Sequence, residues 1–155
     1  MKTLKTSKKQ YLTFITSLIV FILSISFSVA QSDLEVTTIE GQTITVTVKN
    51  IKNNIGQIMF SLHNGETWMK GQGIQNINSE IINNTVTVTF KNIKPGTYAV
   101  MVLHDENKNN RMDFENGMPK ESYGMSNNPL SYGPPNFGEA KFNIDAENLN
   151  LDIRF

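Results

Sequence analysis

The stretch 85-TVTVTFKNIKPGTYAVMVL-103 decides the fold class. Val86, Val88 and Phe90 recur at every second position with threonines between them, the period of a strand that is buried on one face and wet on the other. Ile93-Lys94-Pro95-Gly96 breaks the pattern with turn chemistry, since proline presets its own φ and glycine accepts a positive one. Tyr98 to Leu103 is then apolar on both faces, which places it in the middle of a sheet, covered on both sides. A tyrosine just inside a strand can bend its hydroxyl back to the preceding turn, as in the tyrosine corner of Greek-key sandwiches. A plain core residue is the other reading of Tyr98.

Working outward, Thr43 to Lys49 alternates strictly, with Ile44, Val46 and Val48 on one face. Ile55 to Leu62 turns Ile58, Phe60 and Leu62 inward and Gln57, Met59 and Ser61 outward, and the two segments read as a hairpin or neighbouring pair across the turn residues Asn50 to Asn54. From Asn64 to Asn84 the chain is rich in Gly, Asn and Gln, with Glu80-Ile81-Ile82 as a short strand. Residues 104–136 show no sustained periodicity. Strand patterning returns with Ala140, Phe142 and Ile144 and again with Leu149, Leu151, Ile153 and Phe155. No amphipathic helix pattern follows residue 30. The expected fold is all-β: an antiparallel Greek-key β-sandwich, immunoglobulin-like or transthyretin-like, of about seven strands.

The chain has 155 residues, 14 Lys+Arg, 14 Asp+Glu and no cysteine, and its zero formal charge conceals an uneven distribution. Lys2, Lys5, Lys8 and Lys9 precede an uncharged apolar run from Tyr11 to Val29, closed by the small residues Ser28-Val29-Ala30. This is the pattern of a secretory signal peptide cleaved after Ala30, with an N-terminal membrane anchor as the alternative. The expected organisation is a signal peptide at 1–30 and a single β-sandwich domain at 31–155, secreted or periplasmic, with no membrane span after cleavage. Cleavage leaves 10 Lys+Arg against 14 Asp+Glu, and this acidic remainder without a basic cluster argues against nucleic acid. The absence of cysteine excludes disulfides, thiolate zinc sites and cysteine nucleophiles.

One loop carries suggestive chemistry. Asp105, Asn107, Asn109 and Asp113 stand at relative positions 1, 3, 5 and 9, with the Arg111 carbonyl at position 7, the offsets of a calcium loop. A hard cation wants six to eight oxygens, and a tightly curled loop turns every second side chain inward. Position 6, usually glycine, is Asn110, the next-best residue for a left-handed backbone. Position 12 is Asn116, so a closing carboxylate has to come from Glu115, Glu121 or elsewhere. Ca2+ is therefore the expected cofactor, at a weak site, and self-contained Asx turns are the competing reading.

His104-Asp105-Glu106-Asn107 with Asn109 and Asp113, followed by Gly117, Pro119, Glu121, Gly124, Ser126 and Asn127 and preceded by Pro95-Gly96 and Tyr98-Ala99-Val100, resembles a family of bacterial secreted proteins, domain of unknown function 2141. The resemblance covers residues 44–155. The family usually has glycine where Asn110 and Ser122 stand, and both changes concern turn geometry. Membership implies an extracytoplasmic domain and brings no activity with it.

Enzymatic signals are weak. Gly124-Met125-Ser126-Asn127-Asn128 breaks the G-x-S-x-G elbow at its last glycine. His104 reads as a packing residue, and His63 and His104 do not complete a zinc set. No residue is assigned to catalysis. The expected function is an exported, non-enzymatic module of unknown ligand, stabilised by calcium, whose partner is a protein or glycan of the cell envelope. The alternative is a small hydrolase using loop carboxylates or His104. Trp68, Tyr123, Tyr132 and Phe137 are candidate contact aromatics whose more ordinary role is loop packing.

Overall fold

A computed structural model describes residues 41–130 and 133–155. The expected signal peptide and Tyr132 lie outside the described residues. The strands are β1 (Gln42–Val48), β2 (Gln57–His63), β3 (Gln75–Ser79), β4 (Val86–Ile93), β5 (Gly96–Asp105), β6 (Phe114–Glu115), β7 (Met118–Pro119), β8 (Tyr123–Met125), β9 (Phe142–Ile144) and β10 (Leu149–Ile153), with one helical turn, α1 (Phe137–Ala140), before β9.

Two sheets face one another. The smaller has the order β10-β1-β4, and the larger has the order β3-β2-β5-β8 with β9 paired to the start of β5. Alternation in the sequence explains which faces meet. Ile44, Val46 and Val48 from β1 and Val86, Val88 and Phe90 from β4 pack against Ile58, Phe60 and Leu62 from β2 and Val100 and Val102 from β5. Phe60 and Phe90 are fully buried, and losing either ring would cost about 3–5 kcal/mol. The threonines between the apolar positions of β1 and β4 pair across the wet face: Thr45 with Thr89 at 3.1 Å and Thr47 with Thr87 at 3.0 Å.

The all-β sandwich follows the sequence, with corrections. There are ten short strands rather than seven, because the 104–136 region contributes β6, β7 and β8. β1 and β2 are not neighbours but lie in opposite sheets. Both bury one apolar face in the same core, and residues 49–56 cross between the sheets instead of forming a hairpin. Asn84 fixes that crossing, donating from Nδ2 to the Ile51 carbonyl at 2.6 Å while its own carbonyl accepts from the Ile51 amide at 3.1 Å. β1 also pairs in parallel with β10, Ile44 opposite Leu149 and Val48 opposite Ile153, so the smaller sheet is mixed rather than antiparallel. The expected strand at Glu80-Ile81-Ile82 is replaced by β3, and Ile82 makes only a bridge to Thr85 around Asn83 and Asn84, both with positive φ.

Tyr98 makes the corner contact. Its hydroxyl donates to the Lys94 carbonyl at 2.9 Å, tying β5 to the turn that precedes it.

Candidate functional site: a loop and a methionine-lined cleft

β5 delivers side chains to two places. Its inward residues Val100, Val102 and His104 enter the core face, and the outward residues Met101, Leu103 and Asp105 lie on the far side of the sheet. His104 is fully buried, its Nε2 is 2.8 Å from the Ile55 carbonyl, and its ring stacks on Phe155. It closes the end of the core. Ser126 is equally buried: its hydroxyl accepts from the Val100 amide at 3.0 Å and donates to the Ala140 carbonyl at 2.5 Å, which joins β5 to α1.

Asp105 begins the loop and is also fully buried. One carboxylate oxygen accepts from the Asn109 amide at 3.1 Å, and the other from the Asn110 amide and the Gln57 side chain, both at 2.8 Å. Asn110 has φ +63°, the left-handed turn that the position requires. Asn107 and Asn109 each accept a backbone amide two residues ahead, as Asx turns do, and both direct their side-chain amides to Asp113, at 2.6 and 3.0 Å. Two of the five expected calcium ligands, Asn107 and Asn109, thus converge on a third, Asp113, while Asp105 is turned to backbone amides and the Gln57 side chain. Arg111 brings its guanidinium to 3.8 Å from Asp113. Glu121, one of the carboxylates named with Glu115 for closing the loop on an ion, is bonded to backbone instead: its two oxygens accept from the Glu106 amide at 3.0 Å and the Asp113 amide at 3.1 Å. Among the described residues no three His, Asp or Glu side chains gather as a metal set.

The loop leads directly into the β6–β7 hairpin, whose Asn116-Gly117 turn has two positive φ values, the two-residue turn that suits the twist of paired strands. This hairpin forms one wall of a cleft of about 580 Å³ over the outer face of the larger sheet. Its floor is Met59, Ser61 and His63 of β2, Met101 and Leu103 of β5 and Tyr123 of β8. Met112, Phe114 and Met118 overhang one side, and Met69 and the 133–135 segment border the rest. Five of the chain's seven methionines line this one space, and none of its lining residues is Asp, Glu, Lys or Arg. The rim is exposed apolar surface, with Met69 at 58%, Phe114 at 65% and Met118 at 69% accessibility.

Trp68 braces the remaining wall. It is buried, donates from its indole nitrogen to the Pro135 carbonyl at 3.1 Å and packs edge-on against His63 and Phe137. Trp68 and Phe137 are therefore packing residues, and of the described aromatics named from the sequence only Tyr123 faces the cleft. His63 is held through Nδ1, which lies 3.2 Å from the Thr67 carbonyl. Burial pushes its pKa below the ordinary value, and the contact with Thr67 opposes that in part.

A family model described as "uncharacterized protein conserved in bacteria (DUF2141)" matches residues 46–152. The chain belongs to the DUF2141 family. No curated protein and no solved structure matches it. The residues that carry the DUF2141 resemblance sit at joints of the structure: Tyr98 at the corner, His104 at the core's end, Asp105 and Glu121 inside the loop, Ser126 between β5 and α1. Gly124 is required by close approach, since a Cβ there would lie 2.3 Å from the Arg154 carbonyl. The cleft was not foreseen. Its signal in the sequence is an apolar residue at an outward strand position: Met59, between polar neighbours, and the second apolar face of β5.

Proposed function

We propose that this DUF2141 protein is an exported, non-enzymatic binding module that takes a small apolar or amphiphilic molecule into the methionine-lined cleft. The observation that carries the reading is the cleft itself. Its volume is in the range of small-molecule sites, and its lining is apolar with a few polar groups, Ser61, His63 and Tyr123, to orient a ligand. Thioether side chains are flexible and polarisable, so five of them suit a surface that adapts to ligand shape. The envelope partner inferred from the sequence narrows under this reading to an apolar one, because a glycan would need more hydrogen-bonding groups than the cleft offers. The alternative hydrolase draws no support from His104, Asp105 or Glu121, whose polar atoms are engaged in the fold.

Calcium at the 105–113 loop is the second part of the proposal. What favours it is the meeting of the Asn107 and Asn109 side chains on Asp113. An ion there would require both amides to turn over and present oxygen. Because the loop runs straight into Met112 and Phe114, ordering it would also position the cleft wall.

Trp68 is the only tryptophan and stands beside the cleft, so energy transfer to 1-anilinonaphthalene-8-sulfonate reports occupancy. Saturable one-site binding to the folded protein, weakened at least tenfold by Leu103→Lys, supports the reading. Absence of saturable binding, or binding indifferent to Leu103→Lys in a variant that remains folded, contradicts it.

A further inference from the structure

His63 brings an unpaired hydrogen-bond acceptor to the floor of the cleft. It ends β2, is only 3% exposed and lines the cleft. Its Nδ1 lies 3.2 Å from the Thr67 carbonyl, which can only accept, so that nitrogen carries the proton and the lone pair of the neutral ring is left on Nε2. Burial disfavours the imidazolium and keeps the ring neutral. The edge-on contact with Trp68 holds the plane of the ring. Nε2 accepts no hydrogen bond among the described residues, and no buried side-chain nitrogen or oxygen among them is sealed off without a partner. Nε2 therefore opens onto the cleft that His63 lines, and what it lacks is a donor.

The rest of the lining does not welcome an anion. The Ser61 hydroxyl already donates to the Asn76 side-chain oxygen at 2.8 Å, so it has lone pairs left to offer. Neither Lys nor Arg lines the cleft. A carboxylate or sulfonate head would give up hydration without meeting a cation, and would turn negative charge toward the His63 lone pair. An uncharged hydroxyl loses less on desolvation and brings the missing proton. We propose that the cleft selects an uncharged, hydroxyl-bearing apolar molecule, an alcohol or a phenol, whose O–H donates to His63 Nε2. This head-group assignment rests on the apolar-ligand reading and narrows it. An anion of the same skeleton binds through its apolar part alone, and more weakly.

2-Naphthol, 2-methoxynaphthalene and 2-naphthoate share one ring system and differ in the group offered to His63: a donor, an ether without a proton and an anion. Each is titrated into the purified protein by calorimetry and into protein labelled with 15N-histidine. 2-Naphthol should bind about tenfold more tightly than the ether or the carboxylate, the weight of one hydrogen bond to an acceptor that is otherwise left unpaired. Nε2 should resonate as an unprotonated nitrogen in the free protein, move on binding 2-naphthol and stay in place with the ether. His63→Phe keeps a ring against Trp68 and removes the lone pair, so it should lower 2-naphthol to the affinity of the ether and leave the ether unchanged. The ligand series and the Nε2 signal decide the matter in the parent protein if that variant does not fold. Equal binding of 2-naphthol and its ether, or a proton on Nε2 in the free protein, overturns the hydroxyl assignment, and saturable binding of both leaves the apolar-ligand reading intact. A preference for 2-naphthol that persists in folded His63→Phe also overturns it. Saturable binding of none of the three removes the apolar-ligand reading and the hydroxyl assignment with it.

Discussion

Tyr98 shows what a single residue discloses in advance. Its place after Pro95-Gly96 was enough to suggest the corner, and the hydroxyl does reach the Lys94 carbonyl at 2.9 Å. Tyr98→Phe keeps the ring and loses that bond, so it should lower stability by about 1 kcal/mol, measurable by urea denaturation. Val102 tests the core more severely. It is fully buried in the central strand, and Val102→Asp should cost about 4 kcal/mol, enough to unfold a marginal domain. A thermal melt within a degree or two of the parent would show that β5 does not carry the core. His63 gives a pH dependence. Its folded pKa lies below the ordinary 6.5, so the folded state takes up a proton less readily than the unfolded chain. Stability should be full above pH 6.5 and decline as the pH falls from there through the folded value. His63→Gln should flatten that decline in denaturation curves measured from pH 7.5 to 5. His63 was legible in the sequence only as a histidine ending a strand; its burial depends on Trp68, five residues on, whose indole is held by Pro135 and Phe137 of a distant segment.

At the scale of elements, the regular strands were legible because period-two patterning is a local property, whereas their partners were not. β3 escaped notice because Gln75, Asn76, Asn78 and Ser79 are polar on both faces, as an edge strand allows. The β6–β7 hairpin had a strong signal in Asn116-Gly117, but two-residue strands give no alternation to support it. In the 105–113 loop the spacing, the left-handed Asn110 and the need for a closing carboxylate were all readable. That Glu121 closes it through two backbone amides depends on β8 lying beside β5, which spacing does not convey. If calcium occupies the loop with a dissociation constant of about 0.1 mM, 10 mM calcium should stabilise the fold by about 2.7 kcal/mol. Differential scanning calorimetry should show a higher melting temperature in calcium than in chelator and little response to magnesium, which holds its water. Asp113→Ala should remove the response. Identical curves in calcium and chelator would assign the loop to Asx turns alone.

For the molecule as a whole, one sheet is wet on its outer face and the other is not, and that asymmetry makes the cleft. The smaller sheet shows threonines outward. The larger sheet shows methionine, leucine and tyrosine outward, roofed in part by Trp68, Phe137 and the β6–β7 hairpin. The sequence of β5, apolar on both faces, was read as a strand covered on both sides. One face is covered by the core and the other floors the cleft, a distinction only the assembled loops can make. The parallel pairing of β1 with β10 was likewise invisible, since it joins the two ends of the described chain. The most direct test of the account is a methyl NMR titration of protein labelled at the methionine ε-carbon with a medium-chain fatty acid. The account predicts saturable shifts of Met59, Met101, Met112 and Met118, with Met125 unmoved; shifts confined to Met125 or absent from all of them would contradict it.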